Sequence, residues 1–176
     1  MTSCHQQLLD NENIEQITLL RPLCEEDLEK VRAWDDDQEI TAWTGKKFHS
    51  HEELQDWLEE SSLRRSRWAL GVMTVNGKLI GQVELDDISW RRASAQLKLC
   101  IGDKNYWDQG YGSEALRTFL QHVLYATSLN YIYLRVQADN QRAIRCYEKC
   151  GFVKEGILPA GRRNRRLILM GFYRNG

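Results

Sequence analysis

Two stretches of this 176-residue chain carry residue types at spacings that can do chemistry. The first, Trp107-Asp108-Gln109-Gly110-Tyr111-Gly112-Ser113, stands between a strand-like segment and a helical one. A helix start presents backbone N–H groups that have no intrahelical acceptor, and the helix dipole adds partial positive charge, so this loop can hold phosphate oxygens. Glycine matters there because a β-carbon would keep the backbone from closing around them. Gly-x-Gly by itself also describes a plain strand-to-helix turn. The first glycine of a dinucleotide fingerprint is missing and no Gly-Lys-Ser/Thr follows, so neither a Rossmann motif nor a triphosphate P-loop fits. The second stretch, Asn140 to Phe152, begins 28 residues beyond Gly112 and contains Tyr147. A tyrosine hydroxyl can serve as a general acid, but Ile144 and Tyr147 share a helix face, and on the residues alone an ordinary core aromatic explains Tyr147.

The elements that must position these stretches can be read from periodicity. Ile17 to Arg21 is a short apolar run closed by Pro22 and reads as a first strand. Leu23, Leu28, Val31 and Trp34 follow as a helical stripe. Ser50 can cap a second helix while Glu53 reaches back, with Leu54, Trp57 and Leu58 facing inward. Arg67 to Val75 and Lys78 to Leu85 are strand-like around Asn76-Gly77, a dipeptide that tolerates positive φ at both positions of a hairpin turn. Ser94 to Ile101 alternates as a strand. Leu116, Phe119, Leu120, Val123 and Leu124 recur at helical spacing, and Tyr131 to Gln137 is again strand-like. Asn140 can cap a helix running to about Cys150, with Gly151 and Phe152 completing a Schellman ending. Strands at about Phe152 to Leu158 and Arg165 to Tyr173 flank a turn at Pro159 to Asn164. The expected order is strand, two helices, three strands, helix, strand, helix, two strands, in one domain over residues 17–176 after an extension at 1–16.

In this order and in the two stretches the chain resembles the GNAT superfamily of N-acetyltransferases. The matching residues are Gln109-Gly110-Tyr111-Gly112-Ser113-Glu114-Ala115, the run Asn140 to Phe152 and the strand order around them. The resemblance implies an α/β (α+β) fold: a mixed, mostly antiparallel seven-stranded sheet flanked by about four helices. The fourth and fifth strands, Ala95 to Ile101 and Tyr131 to Gln137, would splay around the pantetheine arm of acetyl-CoA. It further implies that amides from Gln109 to Ser113 hold the pyrophosphate, that backbone groups of Leu99 and Ile101 pair with pantetheine, that Asn140 contacts the cofactor, and that Tyr147 protonates the leaving thiolate. Trp107 stands where the family loop commonly begins with Gln or Arg. Arg135 stands where acetylases of ribosomal-protein N-termini often place a glutamate base. Tyr131-Ile-Tyr-Leu-Arg-Val and the Tyr147 run are similar to the diamine and spermidine branch.

An amine must be neutral to attack a thioester, and an alkyl amine near pKa 10.4 is neutral in roughly one molecule in 2,500 at pH 7. Glu84, with Asp86 and Asp87 behind it, is the base candidate; a cross-strand charge pair explains the same residue. Thirteen acidic side chains between Glu25 and Glu60 face four basic ones, and such a belt would concentrate a cationic substrate or simply be a solvated surface. These features lead to a cationic amine such as a polyamine as acceptor, with a protein N-terminus or a silent acyl-CoA sensor as alternatives. The Arg162, Arg163, Arg165, Arg166 and Arg174 tail lacks an aromatic platform, so no nucleic-acid partner is expected. Five cysteines without a Cys-x-x-Cys pair or metal-ligand spacing point to free thiols and no metal, with Cys146 and Cys150 packing as helix neighbours. No membrane span or secretory signal is legible, which implies a cytoplasmic protein, and a homo-oligomer is possible.

Overall fold

Successive strand residues point to opposite faces, so each apolar-polar alternation assigns a strand its two sides. A computed structural model describes residues 16–159 and 166–174. The chain runs β1 (Thr18–Pro22), α1 (Leu28–Asp36), α2 (Gln38–Thr44), α3 (His51–Leu63), β2 (Trp68–Thr74), β3 (Leu79–Ser89), β4 (Ser94–Ile101), α4 (Tyr111–Ala126), β5 (Tyr131–Gln137), α5 (Gln141–Lys149), β6 (Val153–Leu158) and β7 (Leu167–Tyr173). Among the described residues the seven strands form one sheet in the order β1-β2-β3-β4-β5-β7-β6. One pair, β4 with β5, is parallel and the others are antiparallel.

Each face of the sheet has its own core. Leu70, Val83, Leu85 and Leu97 pack with Leu116, Phe119 and Val123 of α4 and Ile144 of α5. On the other face Ala69 of β2 packs with Leu28, Val31, Phe48, Leu54 and Trp57. Glu84 lies opposite both Ala69 and Lys98, and Gln82 lies opposite Cys100, so a row of polar side chains crosses this second face under α1 to α3.

Local signals account for most of the boundaries. Ser50 Oγ accepts the Glu53 amide at 3.1 Å, while the Glu53 carboxylate accepts the His49 amide at 2.7 Å, one residue earlier than a capping box requires. Phe152 N–H donates to Tyr147 O and Gly151 N–H to Glu148 O, both at 3.1 Å, which is the Schellman pattern at the end of α5. On the α4 face the Glu114 carboxylate receives the amides of Ile17 and Thr18, both at 2.9 Å, and so fastens β1 to the helix that starts at the glycine loop.

Several expectations change. Among the described residues five α-helices are present rather than about four: α2, capped by Asp37 accepting the amides of Glu39 and Ile40, has seven residues, too few to show a periodic stripe. At the hairpin, Gly77 takes φ 81° but Asn76 does not take positive φ. Gly77 N–H closes a turn on Thr74 O at 2.9 Å and the register shifts after Val72, so the connection is a turn with a glycine bulge. Strand β3 runs on through Asp86 and Asp87 because Asp86 is ion-paired to Lys98 at 2.6 Å and Arg67 at 2.8 Å, and Asp87, φ 50°, forms a bulge. Pro22 belongs to β1, where an edge strand spares its missing N–H. Arg174 binds Leu129 O at 2.9 Å and Thr127 O at 2.6 Å, fastening the end of β7 to the connection between α4 and β5. Residues 1–15 of the 1–16 extension, with Cys4 and His5, residues 160–164 of the Pro159 to Asn164 turn, and Arg162, Arg163 and Arg165 lie outside the described residues.

Candidate active site

Strands β4 and β5 pair only at Ser94–Tyr131, Ala95–Ile132 and Gln96–Tyr133, and then part. Strand β3 holds the far edge of β4 to Ile101, and β7 holds the far edge of β5 to Gln137, so both strands stay ordered while a gap opens between them. Gly102 N–H donates to Ile80 O of β3 at 2.9 Å, and alternation therefore turns the backbone groups of Leu99 and Ile101 toward the gap. The Ile101 oxygen is already met by Trp107 Nε1 at 2.6 Å, which leaves the Ile101 N–H and the Leu99 groups facing the opening.

A cleft of about 720 Å³ occupies this gap. Eight of the ten site residues inferred from sequence line it: Glu84, Leu99, Ile101, Gly110, Gly112, Ser113, Asn140 and Tyr147. The Gln109 and Tyr111 side chains turn away, Gln109 Nε2 onto Asn105 O and the Tyr111 ring edge-on to Tyr106 at 4.9 Å, so any part they play in binding must come from backbone amides. Gly110 adopts φ 87° and precedes α4 without a side-chain cap. The first-turn amides after it therefore keep no intrahelical acceptor. Gly112 lies against β4 and α5: a β-carbon there would stand 3.6 Å from both Ile101 and Cys146 and 3.7 Å from Leu99.

Sequence reasoning missed the cations of this wall. Arg142 stacks on the Trp107 ring at 3.6 Å from its centroid, so the tryptophan in the family's Gln or Arg position carries a guanidinium after all. Arg145 and Lys149 line the cleft as well. Their spacing on α5 was the available signal. Cys146 and Cys150 do pack as helix neighbours. Cys150 Sγ donates to Ser113 O at 3.3 Å, Ser113 Oγ donates to Cys146 Sγ at 3.4 Å, and the neighbouring Cys150 thiol, ahead of the Ser113 hydroxyl, lowers the Cys146 thiol below its ordinary pKa.

Tyr147 is buried, with its ring 5.9 Å from Phe152 across the Schellman turn. Its hydroxyl has no hydrogen-bond partner among the described residues, and burial raises its pKa above the ordinary tyrosine value. It is therefore a protonated phenol at neutral pH. Asn140 spends Oδ1 on the Ala143 amide at 3.2 Å, capping α5, and its Nδ2 remains for the cleft.

The opposite wall is organised around Glu84, 1% exposed. Lys47 Nζ donates to both of its oxygens at 2.7 Å, Trp57 Nε1 donates to Oε2 at 2.8 Å, and Lys98 Nζ stands 3.7 Å away. Burial lowers the Lys47 pKa while the Glu84 charge works against that shift. Lys47 is the neighbour of Glu84 that the sequence concealed; its one signal was a lysine pair inside an acidic belt. Much of that belt is structural. Asp35 accepts the amides of Lys47 and Phe48 at 2.8 Å, Asp36 pairs with Arg32 and Lys46, Asp37 and Glu39 hold Lys104, and Asp27 holds Arg21. Glu29, Glu52, Asp56 and Glu59 carry no ion pair among the described residues.

Residues 18–153 match the family model described as an acetyltransferase (GNAT) domain, and the chain belongs to that family. It is an acetyl-CoA-dependent N-acetyltransferase. Among curated proteins it is 28% identical over 144 residues to the spermidine N(1)-acetyltransferase of Vibrio cholerae, covering 81% of this chain and 82% of that one. The Escherichia coli K12 spermidine N(1)-acetyltransferase is 28% identical over 157 residues, covering 89% and 81%. The Vibrio cholerae spermidine N-acetyltransferase solved with CoA and spermine superposes with a TM-score of 0.80 at 25% identity, over 89% of this chain and 95% of that one. A dodecameric structure of the Vibrio cholerae enzyme in an intermediate state gives 0.75 at 25%, over 89% and 93%. Among the described residues no helix is long and apolar enough to cross a membrane.

Proposed function

We propose that this enzyme acetylates a linear cationic amine of the polyamine class, with Tyr147 as general acid and Glu84 as the group that draws a proton from the acceptor nitrogen. The observation that carries this reading is one cleft in which a buried phenol, without a hydrogen-bond partner among the described residues, and a buried carboxylate share the opening between β4 and β5. The similarity to spermidine acetyltransferases supports the polyamine class.

The residues present fit an acyl-CoA, since an unpaired strand edge, a helix start and three cations line one continuous wall. Acetyl-CoA supplies the activated acyl carbon as a thioester. The amides of Tyr111, Gly112 and Ser113 would hold phosphate oxygens together with Arg142. Leu99 and the Ile101 N–H would align the acyl arm as an added strand does. Tyr147 gives its proton to the departing sulfur; burial raises its pKa, so at pH 7 it stands as a neutral phenol with its proton in place. Glu84 holds the acceptor ammonium and takes its proton before attack. Self-association is proposed on the strength of the dodecameric relative, and a cytoplasmic setting suits the cosubstrate and the free thiols.

Initial rates of CoA release with spermidine, an aminoglycoside and a short peptide, each at two salt concentrations, test the acceptor. Spermidine is expected to react fastest, with a preference that fades at high salt as exposed charges are screened over about 8 Å. Reaction with the peptide alone, independent of salt, would overturn it in favour of a protein N-terminus.

A further inference from the structure

The carboxylate in the acceptor wall already holds an alkylammonium, and that ammonium is the chain's own. Lys47 Nζ bonds both Glu84 oxygens at 2.7 Å and lies 4.6 Å from the Trp57 ring centroid and 5.1 Å from that of Phe48. The Trp57 indole N–H fixes the same carboxylate at 2.8 Å. A carboxylate flanked by two aromatic rings is a binding box for an alkylammonium group. Lys47 reaches it from the short connection between α2 and α3, whose backbone hangs on Asp35. Its side chain is 26% exposed, so it has a path out to water. Two residues back on the same face of β3, Gln82 carries a buried Oε1 with no hydrogen-bond partner among the described residues, and its side chain lines the cleft. An unpaired buried acceptor costs free energy until a donor reaches it.

Resting on the amine-acceptor reading above, we propose that the Glu84, Trp57 and Phe48 box is the subsite for one ammonium of a linear di- or polyamine, with Gln82 Oε1 taking a further N–H, and that Lys47 is its displaceable internal occupant. Lys47 then acts as a selectivity device. A monoamine that enters exchanges one ammonium for another and gains little, whereas a polyamine brings additional ammonium groups that find partners elsewhere in the cleft. The occupant also keeps the buried Glu84 charge compensated between turnovers, which an empty box would not.

Lys47→Ala empties the box, and n-butylamine carries the carbon chain and ammonium of a lysine side chain. Thermal unfolding with increasing n-butylamine should show a rising Tm for Lys47→Ala and none for the wild type. The rise should vanish in Lys47→Ala combined with Glu84→Gln. This readout needs no turnover, so it can fail while polyamine acetylation stands, and the reverse. In steady state Lys47→Ala should lower the KM for monoamines by roughly tenfold, the gain expected when a binding-competent state goes from about a tenth to all of the population. The KM for acetyl-CoA should not move. Should Lys47→Ala not fold, Lys47→Gln, which keeps a donor to Glu84, is carried through both measurements and should show the same signs at smaller size. No amine-dependent rise in the folded variant, an equal rise in the wild type, or a raised monoamine KM would overturn the proposal.

Discussion

On the proposed cofactor wall, Gly110, Gly112 and Ser113 lie within one short loop and present backbone geometry, whereas on the proposed acceptor wall Glu84 meets Lys47 across 37 residues of sequence and Trp57 across 27. The first wall relies on a positive φ, a helix start and two strands that part, all of which have local or periodic signatures. The second depends on long side chains that converge from α3, β3 and the connection after α2, where each residue taken alone resembles core or surface. A loop can be recognised by pattern; a convergence of side chains requires the fold.

The largest effect expected on this contrast comes from the glycine loop. Gly110→Ala must adopt φ 87° with a side chain, at a cost of about 1–2 kcal/mol, or the loop must rearrange. Gly112→Ala makes only van der Waals contacts at 3.6–3.7 Å. Calorimetric titration should therefore show Gly110→Ala losing acetyl-CoA affinity by about tenfold and Gly112→Ala losing clearly less; the reverse order would mean that close approach rather than backbone conformation governs the loop.

Next is the acceptor wall. Asp35→Ala removes the acceptor of the Lys47 and Phe48 amides and should destabilise the protein by about 1–3 kcal/mol. Spermidine KM should change while the acetyl-CoA dissociation constant does not. A matching change in both would show that the two walls are not independent. Lysine substitutions at Asp35, Asp36 and Asp37 would disturb the Lys47 loop and the α2 cap as well as surface charge, so Glu29, Glu52, Asp56 and Glu59 are the positions at which to test steering.

These expectations also mark where sequence reading succeeded. The loop at Gly110, the Asn140 cap and the Schellman ending at Gly151 were legible because each is a local hydrogen-bond pattern with a residue preference. Ser94–Ile101 and Tyr131–Gln137 were legible from alternation, and their divergence followed from the family resemblance. Helix α2 was hidden by its length, and the reach of β3 by Asp86 and Asp87, whose charges read as a loop until Arg67 and Lys98 are placed beside them. Glu84 was singled out from sequence and lines the cleft, but its partners were not legible, since the pattern of residues 44–48 does not say that Lys47 turns inward.

A smaller effect lies at the seam of the loop with α5. With the Cys146 thiol held below its ordinary pKa by the Cys150 thiol beside it, its alkylation by iodoacetamide at neutral pH should be faster than that of Cys100, which burial pushes up to about 12, and slow when acetyl-CoA is present. Mass mapping of the labelled cysteines checks this, and indifference to acetyl-CoA would separate Cys146 from the cofactor wall.

In the proposed reaction the two walls serve one step, departure of the thiolate, and Tyr147→Phe addresses that step most directly. The substitution keeps the ring that packs on Phe152 and deletes only the hydroxyl. With spermidine as acceptor, stopped-time assays of CoA release should show kcat reduced by roughly 10²-fold or more, and calorimetry should show acetyl-CoA affinity nearly unchanged, since a positioned acid acts in the transition state. A kcat within twofold of wild type under conditions where chemistry limits the rate would contradict the account and return Tyr147 to the core.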